Sequence, residues 1–203
     1  MSDRLTKPIP QEILDSTKDK VAQITKTVKH TKPGSVGFLL FGSEPSKQSL
    51  LIRMGKPLGE ELPKNLINST NYFETEECGI IKLNNSNEKK DFDLIWKDEE
   101  NKTIYYRESK GNLELDSEKL PATISKVKRL HDELNLKYPG YHINSGIYNW
   151  TLYERGDAEG GGLNAVKTCE KHNIKVDHFN DFITLLHYTM SKEHFESYFR
   201  NLV

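Results

Sequence analysis

Two carboxylates and a lysine stand at the ends of neighbouring apolar segments and could act together on a metal ion. Asp93 precedes the apolar run 94–96, and Glu108 and Lys110 close the β-prone run that begins at Thr103. Mg²⁺ prefers carboxylate and carbonyl oxygens, keeps several waters and bridges to phosphate. A metal held there can activate a water, and a nearby lysine can orient that water or take its proton. These residue types therefore indicate metal-dependent phosphodiester chemistry.

A β-hairpin would bring these side chains together. Two β-prone runs flank the polar segment 97–102, which is typical of a hairpin. Side chains at positions i and i+2 share one face of a strand, so Glu108 and Lys110 point the same way, roughly 6–7 Å apart. Ser109 points to the other face and offers its backbone carbonyl near the site. If the hairpin aligns the two faces, Asp93 meets Glu108 and Lys110.

Asp91 is a second candidate for the first acid. A turn centred on Glu99 and Glu100 would place Asp91 opposite Glu108, whereas the apolar run begins directly after Asp93. A plain surface hairpin with a solvated Glu–Lys pair is the alternative to a functional site. Acids at the ends of apolar strands favour the functional interpretation, since burying a charge is costly without a role.

This layout resembles the PD-(D/E)XK nuclease superfamily, which includes most type II restriction endonucleases. The matching residues are Asp93, Glu108 and Lys110, within a stretch of about twenty residues, with Phe92 where the family often has proline. The resemblance implies that Asp93 and Glu108 bind Mg²⁺ and that Lys110 is the catalytic lysine. The strand geometry adds the Ser109 backbone carbonyl as a third expected ligand. The start of the apolar run after Asp93 also follows the family pattern, which favours Asp93 over Asp91.

Further acids upstream could approach the same site. The segment 48–61 is similar to a helix in several restriction enzymes where a glutamate approaches the metal, although the spacing to Glu60 and Glu61 is imperfect. Glu77, just before an apolar strand, is a weaker candidate. Each of these acids could equally be a surface residue.

Length and composition favour one globular unit. We expect residues 1–203 to form a single nuclease domain, with a helical part at 1–70, a catalytic core at 71–180 and C-terminal helices at 179–203. The sequence shows no apolar run of membrane-spanning length and no signal peptide. Cys78 and Cys169 lie far apart and form no metal or redox motif, so we expect reduced thiols in a cytoplasmic protein.

Periodicity and turn signals predict an α/β fold with a central mixed β-sheet flanked by helices on both faces, a restriction-endonuclease-like core. Predicted strands begin near residues 79, 91, 103, 141 and 174, and a short apolar strand or buried turn covers 36–41. Predicted helices cover 10–29, 46–54 and 59–67 with a break near Pro57, 117–138, 163–172, and one or two helices over 179–199. The glycine-rich segment 156–162 is predicted to be a loop.

The net charge of −1 is low for a DNA-binding protein, but the distribution of charge matters more than its sum. Double-stranded DNA is the expected partner, read by a homodimer, with a cognate DNA methyltransferase in the same system. Two other functions remain open: a structure-directed repair or junction nuclease, and a non-catalytic DNA-binding module. Candidate DNA contacts are Asn112, Lys119, Lys126, Tyr148 and Asn149.

Overall fold

Strands of both orientations form the centre of the molecule. The computed structural model describes residues 4–27, 47–76, 79–82, 89–113 and 119–202. The strands are β1 (Lys7–Pro8), β2 (Glu74–Thr75), β3 (Gly79–Lys82), β4 (Lys89–Phe92), β5 (Leu94–Asp98), β6 (Thr103–Lys110), β7 (His142–Asn149), β8 (Lys175–His178) and β9 (Tyr188–Thr189). Five of them form one sheet in the order β2-β5-β6-β7-β8. β2, β5 and β6 pair antiparallel, whereas β6, β7 and β8 pair parallel. The predicted mixed sheet of an α/β fold is confirmed.

Helices connect these strands and pack on the sheet. They are α1 (Gln11–Thr27), α2 (Lys47–Met54), a π-helical segment (Gly55–Glu61), α3 (Leu62–Asn68), α4 (Leu120–Lys137), a 3-10 turn (Arg155–Asp157), α5 (Gly160–Lys171), α6 (Phe179–Leu185) and α7 (Lys192–Arg200). The helix α4 is the crossover between the parallel strands β6 and β7. None of the helices within the described ranges combines the length and the apolar character that crossing a bilayer requires.

Side chains of the sheet alternate between two hydrophobic cores, as the period of a strand requires. Ile104 and Tyr106 point towards α4 and α5 and pack with buried residues such as Leu130. Trp96 and Tyr148 point to the opposite face and pack with residues of α1, α3, α6 and α7. Helices therefore cover both faces, and every residue of β6 belongs either to the α4 side or to the α1 side.

The strand predicted near residue 79 does not belong to the central sheet. β3 pairs only with β4, antiparallel, as a separate two-stranded sheet. The edge of β5 is taken by β2, and the Glu76 N–H adds a 3.0 Å hydrogen bond to the Ile95 carbonyl. β3 continues the register of the β2–β5 pairing, so it lies opposite β4, the strand that precedes β5. The run predicted to start near Asp91 is also divided at Asp93, which separates β4 from β5.

Two predictions about helices were wrong. The chain does not break near Pro57 but passes through the π-helical segment directly into α3. The glycines at 160–162 are not a loop but the first turn of α5. The C-terminal region contains two helices, α6 and α7, as one of the two predicted alternatives had it. The strand or turn predicted at 36–41 lies outside the described residues.

Candidate active site at the carboxyl end of the central strand

The register of the hairpin sets the two candidate carboxylates opposite each other. β5 and β6 pair Leu94 with Arg107. Continuing this register by one pair places Asp93 opposite Glu108, on the face that carries α4. Asp91 instead lies in β4, where its side chain is exposed. The structure therefore brings Asp93 and Glu108 together and leaves Asp91 on the neighbouring two-stranded sheet.

Glu108 is a nearly buried carboxylate, 4% exposed, with three polar neighbours. The Tyr106 hydroxyl donates to Glu108 Oε2 at 2.8 Å. Lys126 Nζ lies 2.6 Å from the same oxygen, and Lys110 Nζ lies 3.4 Å from Oε1. Burial, followed by the charge of Glu108, raises the pKa of Tyr106 well above its ordinary value, so the hydroxyl keeps its proton and remains a donor. The carboxylate is thus fixed from both sides before any ligand binds.

The ammonium that lies closest to Glu108 comes from a helix. Lys126 belongs to α4 and was predicted as a DNA contact, but its Nζ is closer to Glu108 than that of Lys110. Both lysines remain partly accessible, with 21% and 25% of their side chains exposed. Sequence spacing carried a signal for this, because Lys126 follows the buried Thr123 by three residues and precedes the buried Leu130 by four. Tyr106 was missed as well, although it shares the face of Glu108 at the i, i+2 spacing.

Asp93 lies in an environment that disfavours its charged form. Burial, followed by the nearby charge of Glu108, raises the pKa of Asp93 to about 7. Lys126, the Ser109 N–H and Lys110 oppose this shift only in part. Two carboxylates of like charge in one partly buried position form a site that would gain from a bound cation.

The backbone of Ser109 faces Asp93. The Ser109 N–H donates to Asp93 Oδ2 at 2.8 Å, while the Trp150 N–H donates to the Lys110 carbonyl at 3.2 Å. Adjacent residues of a strand bond to opposite edges, and the N–H and C=O of one residue share an edge. The Ser109 carbonyl therefore points to the Asp93 edge of β6, as a metal ligand at this position requires.

The π-helical segment closes the site from the opposite face of the sheet. Ser109 Oγ donates to the Gly59 carbonyl at 2.7 Å. A Cβ added at Gly59 would lie 2.8 Å from Ser109 Oγ and 2.6 Å from Trp150 Nε1, so only glycine allows this approach. The contact holds the end of β6 in place, and Trp150, 7% exposed, packs in the core beside it.

The accessory acids have different surroundings. Glu61 Oε2 lies 2.7 Å from Lys20 Nζ of α1, so this carboxylate has a partner away from β6. Glu60 is half-buried and follows Gly59, which places its main chain beside the end of β6. Glu77 lies outside the described residues. Glu60 is thus the accessory acid whose backbone lies beside the end of β6, on the face opposite the two carboxylates.

The residues predicted to contact DNA differ in how buried they are. Tyr148 is fully buried and stacks on Phe182 with ring centroids 4.2 Å apart, so the prediction that it contacts DNA is wrong. Lys119 is exposed just before α4. Asn149, 3% exposed, and Asn112, exposed, line one small cavity beyond the end of β6. These two asparagines come from different segments, and only the fold brings them together.

The donor set fits a hard divalent cation with few protein ligands. The part of the chain that the structure describes contains no group of three or more His, Cys, Asp or Glu side chains placed to hold a metal. Two carboxylates and one carbonyl match the preference of Mg²⁺, which usually keeps several waters and takes only one or two carboxylates. The ligands available are the Asp93 and Glu108 carboxylates and the Ser109 carbonyl.

Comparison with known proteins adds nothing to this geometry, since no family model, curated protein or solved structure matches the chain. Any functional assignment therefore depends on the residues of the site themselves.

Proposed function

We propose that this protein is a Mg²⁺-dependent endonuclease that hydrolyses phosphodiester bonds in double-stranded DNA, and specifically a type II restriction enzyme. The observation that supports it is the opposed pair Asp93 and Glu108, with Lys110 and Lys126 at the same carboxylate. The proposal includes a restriction-endonuclease-like core and a single nuclease domain over the whole chain. The order of the site residues, with Asp93 just before β5 and with Glu108 and Lys110 at the end of β6, agrees with the family pattern described above.

Each residue of the site has a role in this proposal. Asp93, Glu108 and the Ser109 carbonyl hold the ion, which when bound supplies Lewis acidity and lowers the pKa of a bound water. Lys110 is partly exposed and can place its charge on a phosphate oxygen or take a proton from the attacking water. Tyr106 and Lys126 orient the Glu108 carboxylate, since both bond to its Oε2.

The charge of α4 supports DNA as the polymer. Beside Lys126, this helix carries Lys128 and Arg129, and Lys119 precedes it, so α4 and its start carry four cations. Contacts between these cations and phosphates would make binding weaken with salt. In this proposal the enzyme acts as a homodimer on a twofold-symmetric DNA site, and a cognate methyltransferase protects the host DNA.

Incubation of the purified protein with phage-sized DNA tests the proposal directly. The DNA is incubated with Mg²⁺ or with EDTA and separated on a gel. We expect discrete bands with Mg²⁺ and intact DNA with EDTA, and the mapped ends then give the recognition sequence. A metal-dependent smear would favour the structure-directed or non-specific nuclease, and intact DNA in both lanes would contradict the proposed activity.

Two matched variants test the metal assignment. Asp93→Asn should abolish cleavage, whereas Asp91→Asn, two residues away and exposed, should cut normally. The reverse result would retain a nuclease and overturn Asp93 as the ligand. Full activity of Glu108→Gln would show that the site lies elsewhere.

A further inference from the structure

A cavity lies at the other end of the parallel strands, where β7 and β8 begin. Its volume is about 590 Å³. Three parts of the chain enclose it: the middle of α4, the start of β7, and the segment that joins α5 to β8. Lys126 of α4 faces Glu108, whereas His131 lines the cavity five residues later, about 140° further around the helix axis. The candidate active site and this cavity therefore lie on different flanks of α4.

Side chains that carry N–H groups line the cavity from all three parts of the chain. They are Lys128 and His131 of α4, His142 of β7, and His172 and Lys175 of the segment between α5 and β8. Asp132 is the only acid among the described residues that line it. An ammonium group only donates hydrogen bonds, and an imidazole carries at least one N–H. The lining therefore suits a negatively charged ligand with several hydrogen-bond acceptors.

The fold leaves an excess of positive charge beside the cavity. Lys175 Nζ lies 2.9 Å from Asp177 Oδ1, but Oδ2 of the same carboxylate already pairs with Arg107 Nε at 2.6 Å. Two cations thus share one buried carboxylate, and this group of three side chains keeps a net positive charge. Lys175 is 58% exposed, so a ligand can reach its ammonium. An anion in the cavity would compensate the excess charge.

The imidazole of His131 is held by a contact with the sheet. Its Nδ1 lies 3.0 Å from Ser145 Oγ of β7. A hydroxyl that donates to Nδ1 leaves the ring proton on Nε2, which then donates to a ligand. Within the described ranges, no three His, Cys, Asp or Glu side chains are placed to hold one metal ion, so the imidazoles of the cavity do not converge on a single point. They suit a group with several acceptor oxygens better than a single ion.

The number of donors favours a phosphate over a carboxylate. A phosphate carried as a monoester has a charge of about −1.5 to −2 and three strong acceptor oxygens. A carboxylate has one charge and two oxygens, so it can satisfy fewer of the ammonium and imidazole groups.

Size and apolar side chains indicate that the ligand is larger than a phosphate ion. Val127, Ile143 and Ile174 also line the cavity and are buried, so they form its floor. The volume lies within the roughly 300–1,000 Å³ of pockets for small organic ligands. A phosphate ion alone would leave this apolar surface uncovered.

We propose that this cavity binds a small phosphorylated molecule, with its phosphate at the lysines and imidazoles and its organic part on the apolar floor. The inference goes beyond the proposed nuclease and uses none of the residues assigned to the metal ion or to cleavage. Among the side chains of the cavity, only Lys128 also belongs to the cations that support DNA binding.

Titration of the full chain with inorganic phosphate, followed by NMR of the histidine ring C–H signals, tests this inference. The pH is constant, and sodium chloride is exchanged for phosphate so that the ionic strength is constant. The variants His131→Gln, His142→Gln and His172→Gln assign the three signals of the cavity. We expect these signals to shift along one saturable curve, while those of His187 and His194, which do not line the cavity, stay in place.

Two lysine variants locate the binding. Lys128→Ala should weaken phosphate binding about tenfold, the effect of one charge-assisted hydrogen bond. Lys167→Ala is the matched control, because Lys167 is exposed on α5 and does not line the cavity, and it should bind like the wild type. Shifts that do not saturate, equal shifts of all the histidine signals, or equal affinities of the two variants would overturn the inference.

Three further probes identify the ligand class. Acetate at the same ionic strength should shift the three signals less than phosphate, and an equal response would overturn the assignment of a phosphate. Adenosine monophosphate should bind more tightly than inorganic phosphate, and equal binding would overturn the organic part. If only a DNA duplex in EDTA moves the three signals, the cavity belongs to a nucleic-acid surface and the small ligand is wrong. The phosphate titration uses neither DNA nor Mg²⁺, so its outcome does not depend on the proposed function.

Discussion

Arg107 and Glu108 are neighbours in β6 and both carry buried charges, but their surroundings differ. Arg107 points to the α1 side of the sheet, and its Nε lies 2.6 Å from Asp177 Oδ2, with both side chains 0% exposed. Its remaining N–H groups donate to the carbonyls of Tyr106 and Asn144 and to the Asn144 side chain. Glu108 points to the α4 side and belongs to a cluster of two carboxylates and two partly exposed lysines.

The difference lies in how completely each charge is compensated. The guanidinium of Arg107 has acceptors for four of its five N–H groups and no access to solvent, which is the arrangement of a structural ion pair. The cluster around Glu108 holds an aspartate whose pKa is raised to about 7 and two ammonium groups that solvent can reach. Strongly perturbed groups in an accessible position are typical of functional sites. The two sides of one strand thus separate the charge that holds the fold from the charge that can act on a ligand.

The largest effect on stability is expected when the buried ion pair between Arg107 and Asp177 is broken. Arg107→Ala leaves the buried Asp177 with only the exposed Lys175, whose Nζ lies 2.9 Å from Asp177 Oδ1. The substitution should lower the free energy of unfolding by about 3–5 kcal/mol in urea denaturation. Arg155→Ala is the control, since the Arg155–Glu170 pair is exposed and should contribute less than about 1 kcal/mol. Equal effects of the two substitutions would remove the distinction between the buried and the exposed pair.

Asp93 lies on the α4 side of the sheet, and Asp93→Asn should stabilise the protein. The pKa of Asp93 is raised from 3.8 to about 7 by folding, so the folded state binds an extra proton between these values. The stability from this group is fully present below pH 4 and is lost as pH rises through 7. In EDTA, the variant should therefore unfold like the wild type near pH 4 and be more stable by up to about 4 kcal/mol near pH 8.

Urea unfolding at both pH values measures this difference. Asp91→Asn, on an exposed carboxylate, should change the stability by less than about 0.5 kcal/mol at either pH. Destabilisation by Asp93→Asn at pH 8 would show that the Asp93 carboxylate is well compensated, like that of Asp177. The contrast between the two sides of β6 would then be wrong.

Lys110→Ala should reduce activity without affecting folding. Loss of one charge that stabilises the transition state lowers the cleavage rate by about 100-fold, or about 2.7 kcal/mol in the barrier. Lys128→Ala on the exposed surface of α4 should weaken DNA binding slightly and leave the single-turnover rate unchanged. Cleavage under single-turnover conditions and thermal unfolding together distinguish the two outcomes, and equal rates for both variants would remove the catalytic role of Lys110.

The smallest expected effect concerns the orientation of Glu108. Tyr106→Phe removes one buried hydrogen bond to a carboxylate that keeps Lys126, and should destabilise the protein by about 1–2 kcal/mol. Tyr141→Phe, which removes an exposed hydrogen bond to Glu99, should have no measurable effect on unfolding. If Tyr106→Phe lowered the free energy of unfolding more than Arg107→Ala, Glu108 and not Arg107 would be the charge that holds the fold.

Local patterns in the sequence predicted much of the central fold. The hairpin, the helix before β7 and the parallel strands near 141 and 174 follow from apolar periodicity and turn residues, which act over a few positions. The choice between Asp91 and Asp93 depended on a shift of one position in the turn. The observed register is centred between Glu100 and Asn101, one residue later than a turn centred on Glu99 and Glu100.

Contacts between distant segments were not predictable in this way. The place of β3 outside the central sheet depends on the division of its partner run at Asp93 into β4 and β5, since β3 lies opposite β4 alone. The burial of Tyr148 depends on Phe182, which belongs to a helix 34 residues further along the chain. Such outcomes are decided by packing, and a strand pattern alone does not say which of its faces meets which helix.

By itself, the sequence determined which residues could do chemistry and which of them share a face, because the alternation of a β-strand fixes Glu108 and Lys110 on one side and Arg107 and Ser109 on the other. Only the tertiary structure decided what meets each side. It brought Lys126 from α4 to Glu108 and Asp177 from β8 to Arg107, and it joined Asn112 and Asn149 in one cavity. The physical reason is that the direction of a side chain is set by its own backbone, whereas its partners are set by the packing of elements far apart in the chain.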